Sequence, residues 1–150
     1  MGARYWVAVA QADHVCAGVE GGFAQVGHGK GAPLRRMSPG DWLFYYSPRT
    51  SLHGGEKLQA FTAAGRIVSG DVYQVEMAGD FHPWRRDVAF VQPIVNAPIE
   101  GLKRDLSFIA QNSNWGLMMR RGHFEIAAVD AHLVADAMAI ALSDEESLLP

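Results

Sequence analysis

The chain has 150 residues, is 49% hydrophobic and 19% charged, and carries a formal net charge of −3. That length suits one hydrophobic core and is short for two, and the composition is that of an ordinary globular protein. No apolar run approaches the length of a membrane-spanning helix, and no membrane partner is expected.

The elements follow in chain order. Met1–Arg4 leads straight into a strand-like Tyr5–Ala10, with no signal-peptide pattern. Asp13 suits the cap of a short helix over His14–Glu20 that Gly21–Gly22 ends. Five glycines between Gly21 and Gly31 then make a loop that carries His28 and Lys30. Such a loop loses entropy when ordered, and long loops without structure of their own are functional or disordered. Because the apolar strand Trp42–Tyr46 anchors its far end, we read it as a flexible wall of a binding site. Gln59–Val68 is a longer strand, turned by Ser69–Gly70–Asp71. Val72–Met77 alternates as a hairpin partner with one buried face. Ala78–Trp84 is a loop, Asp87–Val95 a strand, and Pro98 starts a short helix around Ile99–Arg104. Phe124–Ala128 is a last strand. Asp130 caps a helix with Leu133, Val134, Ala137, Met138, Ala141 and Leu142 at helical spacing. We expect one domain over residues 1–150, with a core over about residues 4–142 and an acidic tail over 143–150 that frays. About six strands with short peripheral helices give an α+β protein built on a small, twisted, barrel-like sheet rather than alternating β-α units.

The negative net charge hides a division. Asp130, Asp136, Asp144, Glu145 and Glu146 all lie beyond residue 126, and the rest of the chain has thirteen basic against eleven acidic residues. The bases come in pairs: Arg35–Arg36, Arg85–Arg86, Lys103–Arg104 and Arg120–Arg121. Paired cations on one folded body suit a surface that tracks phosphates, although solvated surface charge is the simpler explanation of any single pair.

Catalytic and metal chemistry finds little support. Gly27-His-Gly-Lys-Gly31 superficially resembles a phosphate-binding loop, but it lacks the Ser or Thr after the Lys and the helix that would follow. His14 and Cys16 are two apart on a helix and point in different directions. With no CxxC or HExxH pattern, no metal and no cofactor are expected, and Cys16 reads as a small core residue. A single cysteine also excludes an internal disulfide and fits a reducing, cytoplasmic compartment. Ser47 lacks a nucleophile-elbow context, and no carboxylate stands ready to orient His28. We therefore expect no catalysis; the alternative is a small-molecule or nucleotide sensor, or an enzyme, using His28, Lys30 and Ser47 in the same pocket. A subunit that mediates only protein contacts is a third reading.

The aromatics point elsewhere. Phe23, Phe81, Trp84 and Trp115 all fall in predicted loops or at element ends, beside Lys30, Arg85, Arg86, Arg120 and Arg121. One such ring is usually a plug over the core; four beside cations suit a stacking pocket, where each stacked base contributes roughly 1–3 kcal/mol. Asn112-Ser-Asn-Trp-Gly116 has the chemistry either of a base-edge contact or of a turn.

Several segments carry a resemblance. Tyr5–Ala10, Gly22–Val26, His28–Lys30, Ala32–Met37, Gly40–Trp42 and Tyr45–Pro48 resemble the EVE domain family, as do Gln59–Ala63, Leu106–Ile109, Trp115–Gly116 and Arg120–Ile126. The match is long, in order, and runs from about Tyr5 to Met138. It implies a PUA-like fold, a small mixed β-barrel related in shape to the YTH domains that read a methylated adenine in RNA. It also implies a nucleic-acid partner, DNA or RNA, whose modified base (5-substituted cytosine or N6-methyladenine) enters an aromatic pocket. By comparison with YTH domains, Phe23 is similar to one cage aromatic and Trp84 to a second, with Phe81 as its competitor; Trp115 rests on the EVE resemblance alone. On this reading Phe23, Gln25, Ser47, Phe81, Trp84, Asn112 and Trp115 form the base pocket. His28, Lys30, Arg85 and Arg121 hold phosphates, in a monomer or weak homodimer. Met119 departs from the pattern, since an aromatic is expected before Arg120-Arg-Gly122.

Overall fold

A strand can be apolar at every position only when both of its faces are buried. The structure, a computed structural model that describes residues 2–142, meets that condition twice. Strand β1 (Tyr5–Val9) pairs parallel to β3 (Trp42–Arg49), with Tyr5 opposite Trp42 and Val9 opposite Tyr46. Along them the side chains alternate between two hydrophobic clusters. Tyr5, Val7, Trp42, Phe44 and Tyr46 enter one, and Trp6, Ala8, Leu43 and Tyr45 the other. This is the period of two that a strand imposes.

The remaining elements cover those two faces. After β1 come α1 (Ala12–Gly21), β2 (Phe23–Ala24) and α2 (Ala32–Arg36). Past β3 lie β4 (Lys57–Ile67), β5 (Tyr73–Gln74), β6 (Trp84–Phe90) and β7 (Ala97–Pro98). A 3-10 turn (Ile99–Gly101), α3 (Ser107–Ala110), α4 (Trp115–Arg121), β8 (His123–Ile126) and α5 (Ala128–Ala137) follow. The sheet order is β2-β6-β4-β3-β1-β8, with β5 attached to β6 and β7 to β4. The sheet is mixed and curls into a half-barrel of six strands, with the helices at its periphery. Val15 of α1 and Leu34 and Met37 at α2 close one cluster. Ile99, Leu106, Ile109, Ala131, Val134 and Met138 close the other.

Several local expectations are corrected. Cys16 is exposed, not a core residue, because α1 buries Val15 and Gly18 and turns the Cys16 position to solvent. Asp130 is not a helix cap: α5 begins at Ala128, and Asp130 lies buried inside it. There its carboxylate accepts from the Ser107 amide at 2.8 Å and the Ser107 hydroxyl at 2.5 Å, tying α3 to α5. The hairpin partner Val72–Met77 shrinks to Tyr73–Gln74, since Tyr73 and Met77 are exposed and bury no face. Helices α2, α3 and α4 occupy stretches without a helical pattern in the sequence. The acidic tail 143–150 lies outside the described residues.

One buried carboxylate joins the start of the sheet to its first turn. Asp41 is 4% exposed and accepts from the Arg4 amide (3.0 Å), the Ser38 amide (2.8 Å) and the indole Nε1 of Trp6 (3.0 Å). Hydrogen bonds to a charged group are worth about 1.5–3 kcal/mol each, and removing the acceptor strands buried donors. Asp41→Ala is therefore expected to lower unfolding stability by about 3 kcal/mol or more, and Asp41→Asn by less. Urea unfolding of the two variants checks this; an unchanged midpoint for Asp41→Ala would remove the anchor role.

Candidate nucleic-acid interface

Three consecutive left-handed residues, Gly27 (φ 56°), His28 (φ 60°) and Gly29 (φ 83°), turn the chain sharply after β2. The amides of Gly29 and Lys30 both donate to the carbonyl of Val26, at 3.0 and 3.2 Å. The Gly29 carbonyl accepts from the Trp84 amide at 2.8 Å. A Cβ on Gly29 would lie 2.6 Å from Cβ of Pro83, so glycine is needed for space as well as for φ. The loop expected to be flexible is thus a docked turn. It holds His28 and Lys30 exposed on the rim of a cleft of about 1340 Å3.

The cleft exists because β8 is an edge strand. Its register sets Glu125 opposite Trp6 and His123 opposite Ala8, so Trp6 and His123 are diagonal neighbours on one face. Neither α1 nor α2 covers that face completely. The floor holds Trp6 and His123, whose rings stack at 4.9 Å with planes 8° apart. Arg36, at the end of α2, lines one side. Arg120 and Arg121, at the end of α4, line another, and Lys30 stands on the rim. Asp13 and Glu125 supply the opposing carboxylates, and Glu125 lies 3.7 Å from Arg4. The cleft is therefore predominantly cationic.

Gln25 joins the cleft to a second cluster. Its carbonyl meets His14 Nε2 at 3.1 Å, and its amide donates to the Tyr45 hydroxyl at 3.3 Å. Tyr45 is fully buried, and that burial pushes its phenol pKa well up, keeping the anchor neutral. The side-chain oxygen of Gln25 accepts from Arg85 Nε at 3.0 Å. The Arg85 guanidinium then lies over the half-buried Phe23 ring, 3.9 Å from its centroid, and reaches Met77 Sδ at 3.5 Å. Met77 in turn donates its amide to the carbonyl of Phe81, a ring 42% exposed and packed beside Gly29.

Of the residues singled out in the sequence, Gln25, His28, Lys30 and Arg121 line the cleft. Phe23 and Arg85 form the adjoining cluster, and Phe81 is linked to it through its carbonyl, which accepts from the Met77 amide. The others are placed elsewhere. Trp84 packs against the cluster below α2, with Arg35 over its ring at 4.9 Å. Strand alternation sends it to the opposite face of β6 from Arg85, so Phe23 and Trp84 do not sandwich a common space. Trp115 packs on the other side of the sheet, with Lys103 at 5.7 Å. Asn112 bonds Met118 Sδ (3.0 Å) and the Asn114 amide (2.9 Å), the contacts of a turn. Ser47 is fully buried and paired with Thr62 at 2.7 Å, away from His28 and Lys30, so those three do not assemble as a catalytic set. Among the basic pairs, Arg86 is buried and donates to the carbonyls of Leu34 (3.1 Å) and Met37 (2.6 Å), a structural role. The described residues contain no group of His, Cys, Asp or Glu able to hold a metal ion, and no helix long and apolar enough to cross a membrane.

Sequence reasoning passed over Trp6, Arg36 and His123. The signal for them was the register: a Trp two residues into β1 and a His at the start of β8 meet once those strands pair antiparallel.

A curled mixed sheet in this strand order, with peripheral helices, defines a PUA-like fold shared with the YTH domains. The model of the EVE domain matches residues 4–137, and the chain belongs to that family. The UPF0310 protein msl3206 of Mesorhizobium japonicum is 52% identical over 136 residues, covering 89% of this chain and 91% of its own. The UPF0310 protein YdcG of Bacillus subtilis is 42% identical over 143 residues, covering 95% and 97%. Among solved structures, the YTH domain of Zygosaccharomyces rouxii MRB1 in complex with N6-methyladenosine RNA superposes with a TM-score of 0.58 at 14% identity. That match covers 93% of this chain and 89% of that one.

His123 makes a pH prediction. Burial, and next the Arg36 cation, push its pKa down from 6.5 to about 4. The unfolded chain takes up this proton near pH 6.5 while the folded chain refuses it, so folding stability falls as pH drops from about 6.5 to 4. His123→Gln should flatten that slope in urea unfolding measured across the range; an equal slope in both proteins would contradict the assignment.

Proposed function

We propose that this chain is a non-catalytic nucleic-acid-binding module that takes a modified base, 5-substituted cytosine or N6-methyladenine, onto the Phe23 ring while the adjoining cationic cleft holds phosphates. The observation that carries this reading is the Phe23 ring face with Arg85 over it. A planar guanidinium at stacking distance marks a face that suits another planar group. A nucleobase stacked there contributes roughly 1–3 kcal/mol, and the displaced Arg85 is then free to meet the neighbouring phosphate. Gln25 supplies amide chemistry for the base edge, and the exposed Phe81 ring beside Gly29 is a further aromatic surface nearby.

Two further points support it. Lys30, Arg36, Arg120 and Arg121 give the cleft the charge that a phosphate backbone seeks. The family relationship and the shared fold with a YTH domain solved on N6-methyladenosine RNA point to the same ligand class. Taking a base out of its stack costs a few kcal/mol, least in a single strand, so binding is strongest on unpaired substrates. A methyl group adds selectivity by filling an apolar recess, at about 0.8 kcal/mol per buried group of that size.

Fluorescence polarisation on oligonucleotides that differ in one base tests this: cytosine, 5-methylcytosine, 5-hydroxymethylcytosine, adenine or N6-methyladenine, single- and double-stranded, in DNA and RNA. One modified base is expected to bind preferentially. Phe23→Ala is expected to weaken that binding roughly tenfold or more, and Arg121→Ala to reduce the dependence of log affinity on log salt by about one unit. Equal binding to every base, unmoved by Phe23→Ala, would defeat the base-reading proposal.

A further inference from the structure

Within the cleft, His123 is anomalous. It is 5% exposed, yet neither Nδ1 nor Nε2 has a hydrogen-bond partner among the described residues. Buried polar groups are normally satisfied, and an exception calls for a reason. The ring is held in place by stacking on Trp6, which is itself fixed through its indole Nε1 to Asp41. The imidazole therefore lines the floor of an open cleft with both nitrogens buried just beneath its surface and unspent.

The charges around it define what fits. From α2, Arg36 stands close enough to act on the ring electrostatically. From α4 come Arg120 and Arg121, and from the turn after β2 come His28 and Lys30. On α1 are Asp13 and His14, and on β8 itself is Glu125. Arg4 lies over the Trp6 ring at 4.8 Å, and Asp41 binds the same indole. Glu125 is engaged by Arg4, while Lys30, Arg36, Arg120 and Arg121 have no carboxylate within ion-pair distance among the described residues. The balance is positive, and a ring nitrogen beside it needs a partner. A cationic ligand is repelled there, and an apolar one leaves the imidazole unsatisfied.

We propose that the floor between His123 and Arg36 is a phosphate subsite, in which His123 takes a proton from solvent as the phosphate arrives and donates it in a hydrogen bond to a phosphate oxygen. Burial, and next the Arg36 cation, favour the neutral ring when no anion is bound. A bound anion reverses the sign of the local potential, so the ring then favours its charged, donor form. Phosphate binding and proton uptake are thereby linked, and the subsite binds more tightly as pH falls toward 5. This deepens the nucleic-acid reading and rests on it only for the origin of the phosphate, which is either a backbone diester or a terminal monoester.

The experiment follows the His123 ring by nuclear magnetic resonance as pH is varied, at fixed ionic strength set with chloride. The arms add inorganic phosphate, a 5′-phosphorylated oligonucleotide, or the same oligonucleotide with a 5′-hydroxyl. The expected result is an upward shift of the His123 titration by about one unit or more, equivalent to a tenfold linkage between proton and phosphate. A shift with both oligonucleotides assigns the subsite to backbone diesters. A shift with only inorganic phosphate and the 5′-phosphorylated strand assigns it to terminal phosphates. His123→Gln should then bind the active ligand with no more pH dependence between 7 and 5 than chloride alone produces. Titration of His123 that no phosphate source moves overturns the proposal. Base discrimination at Phe23 with an unmoved His123 leaves the base reader standing without this subsite; a moved His123 without base discrimination does the reverse.

Discussion

The carboxylate of Asp41 is the constraint on which the cleft depends. It sits almost out of solvent at the start of β3 and receives three donors, two from backbone and one from the Trp6 indole. A buried carboxylate is tolerated only when its lone pairs are used in this way. Its position fixes the entry of β1, the turn from α2 into β3, and the tilt of the indole. Trp6 in turn sets the plane of His123, and Arg36 is attached through its carbonyl to the Arg4 guanidinium at 2.6 Å. This one side chain therefore binds three residues directly, Arg4, Trp6 and Ser38, and through them fixes Arg36 and His123.

The sheet divides the chemistry of the molecule. Because every residue of a strand must face one side or the other, neighbours in sequence become strangers in space. Arg85 covers Phe23 while Arg86, the next residue, is drawn under α2. Arg35 lies on Trp84 while Arg36 enters the cleft. The paired bases are thus shared between structural work and an open cationic surface, with one member of each of these pairs assigned to each side of a strand or helix. Trp84 and Trp115 pack against different hydrophobic clusters, Trp6 and Phe124 line the cleft itself, and Phe23 lies under Arg85 in the cluster that Gln25 joins to the cleft.

Much of the fold was legible. The unbroken apolar runs of β1 and β3, the left-handed Gly22 that ends α1 at φ 74°, and the long β4 all follow from local patterns. The short helices α2, α3 and α4 did not, because helices of four to seven residues have little stability of their own. They are held by distant partners: Arg86 on the carbonyls at the end of α2, and Asp130 on the first turn of α3. Among the candidate residues, Gln25, His28, Lys30 and Arg121 were singled out in the sequence and line the cleft. His123 was not, since a lone histidine in a strand carries no signal until the register of β8 against β1 is known. Cys16 was misplaced for a related reason: α1 buries small residues at Gly18, so apolar character alone did not reveal the inner face.

Arg86 also bears on how the sheet finds its alignment. Its guanidinium reaches carbonyls from α2 and, at 3.5 Å, from Gly70, an arrangement that accepts only a donor. Were β6 to pair with β4 one residue out of step, the inward position would pass to Arg85 or to Asp87. With Asp87 inward, a carboxylate would face carbonyl oxygens with no water to separate them. With Arg85 inward, Phe23 would lose its cover and Gln25 its donor. The slip that turns Asp87 inward strands a charge in a low-dielectric interior, at several kcal/mol. Arg86 therefore acts as a register key for strand pairing: the observed alignment places Arg86 on the carbonyls below α2 and Arg85 on Phe23 and Gln25 together.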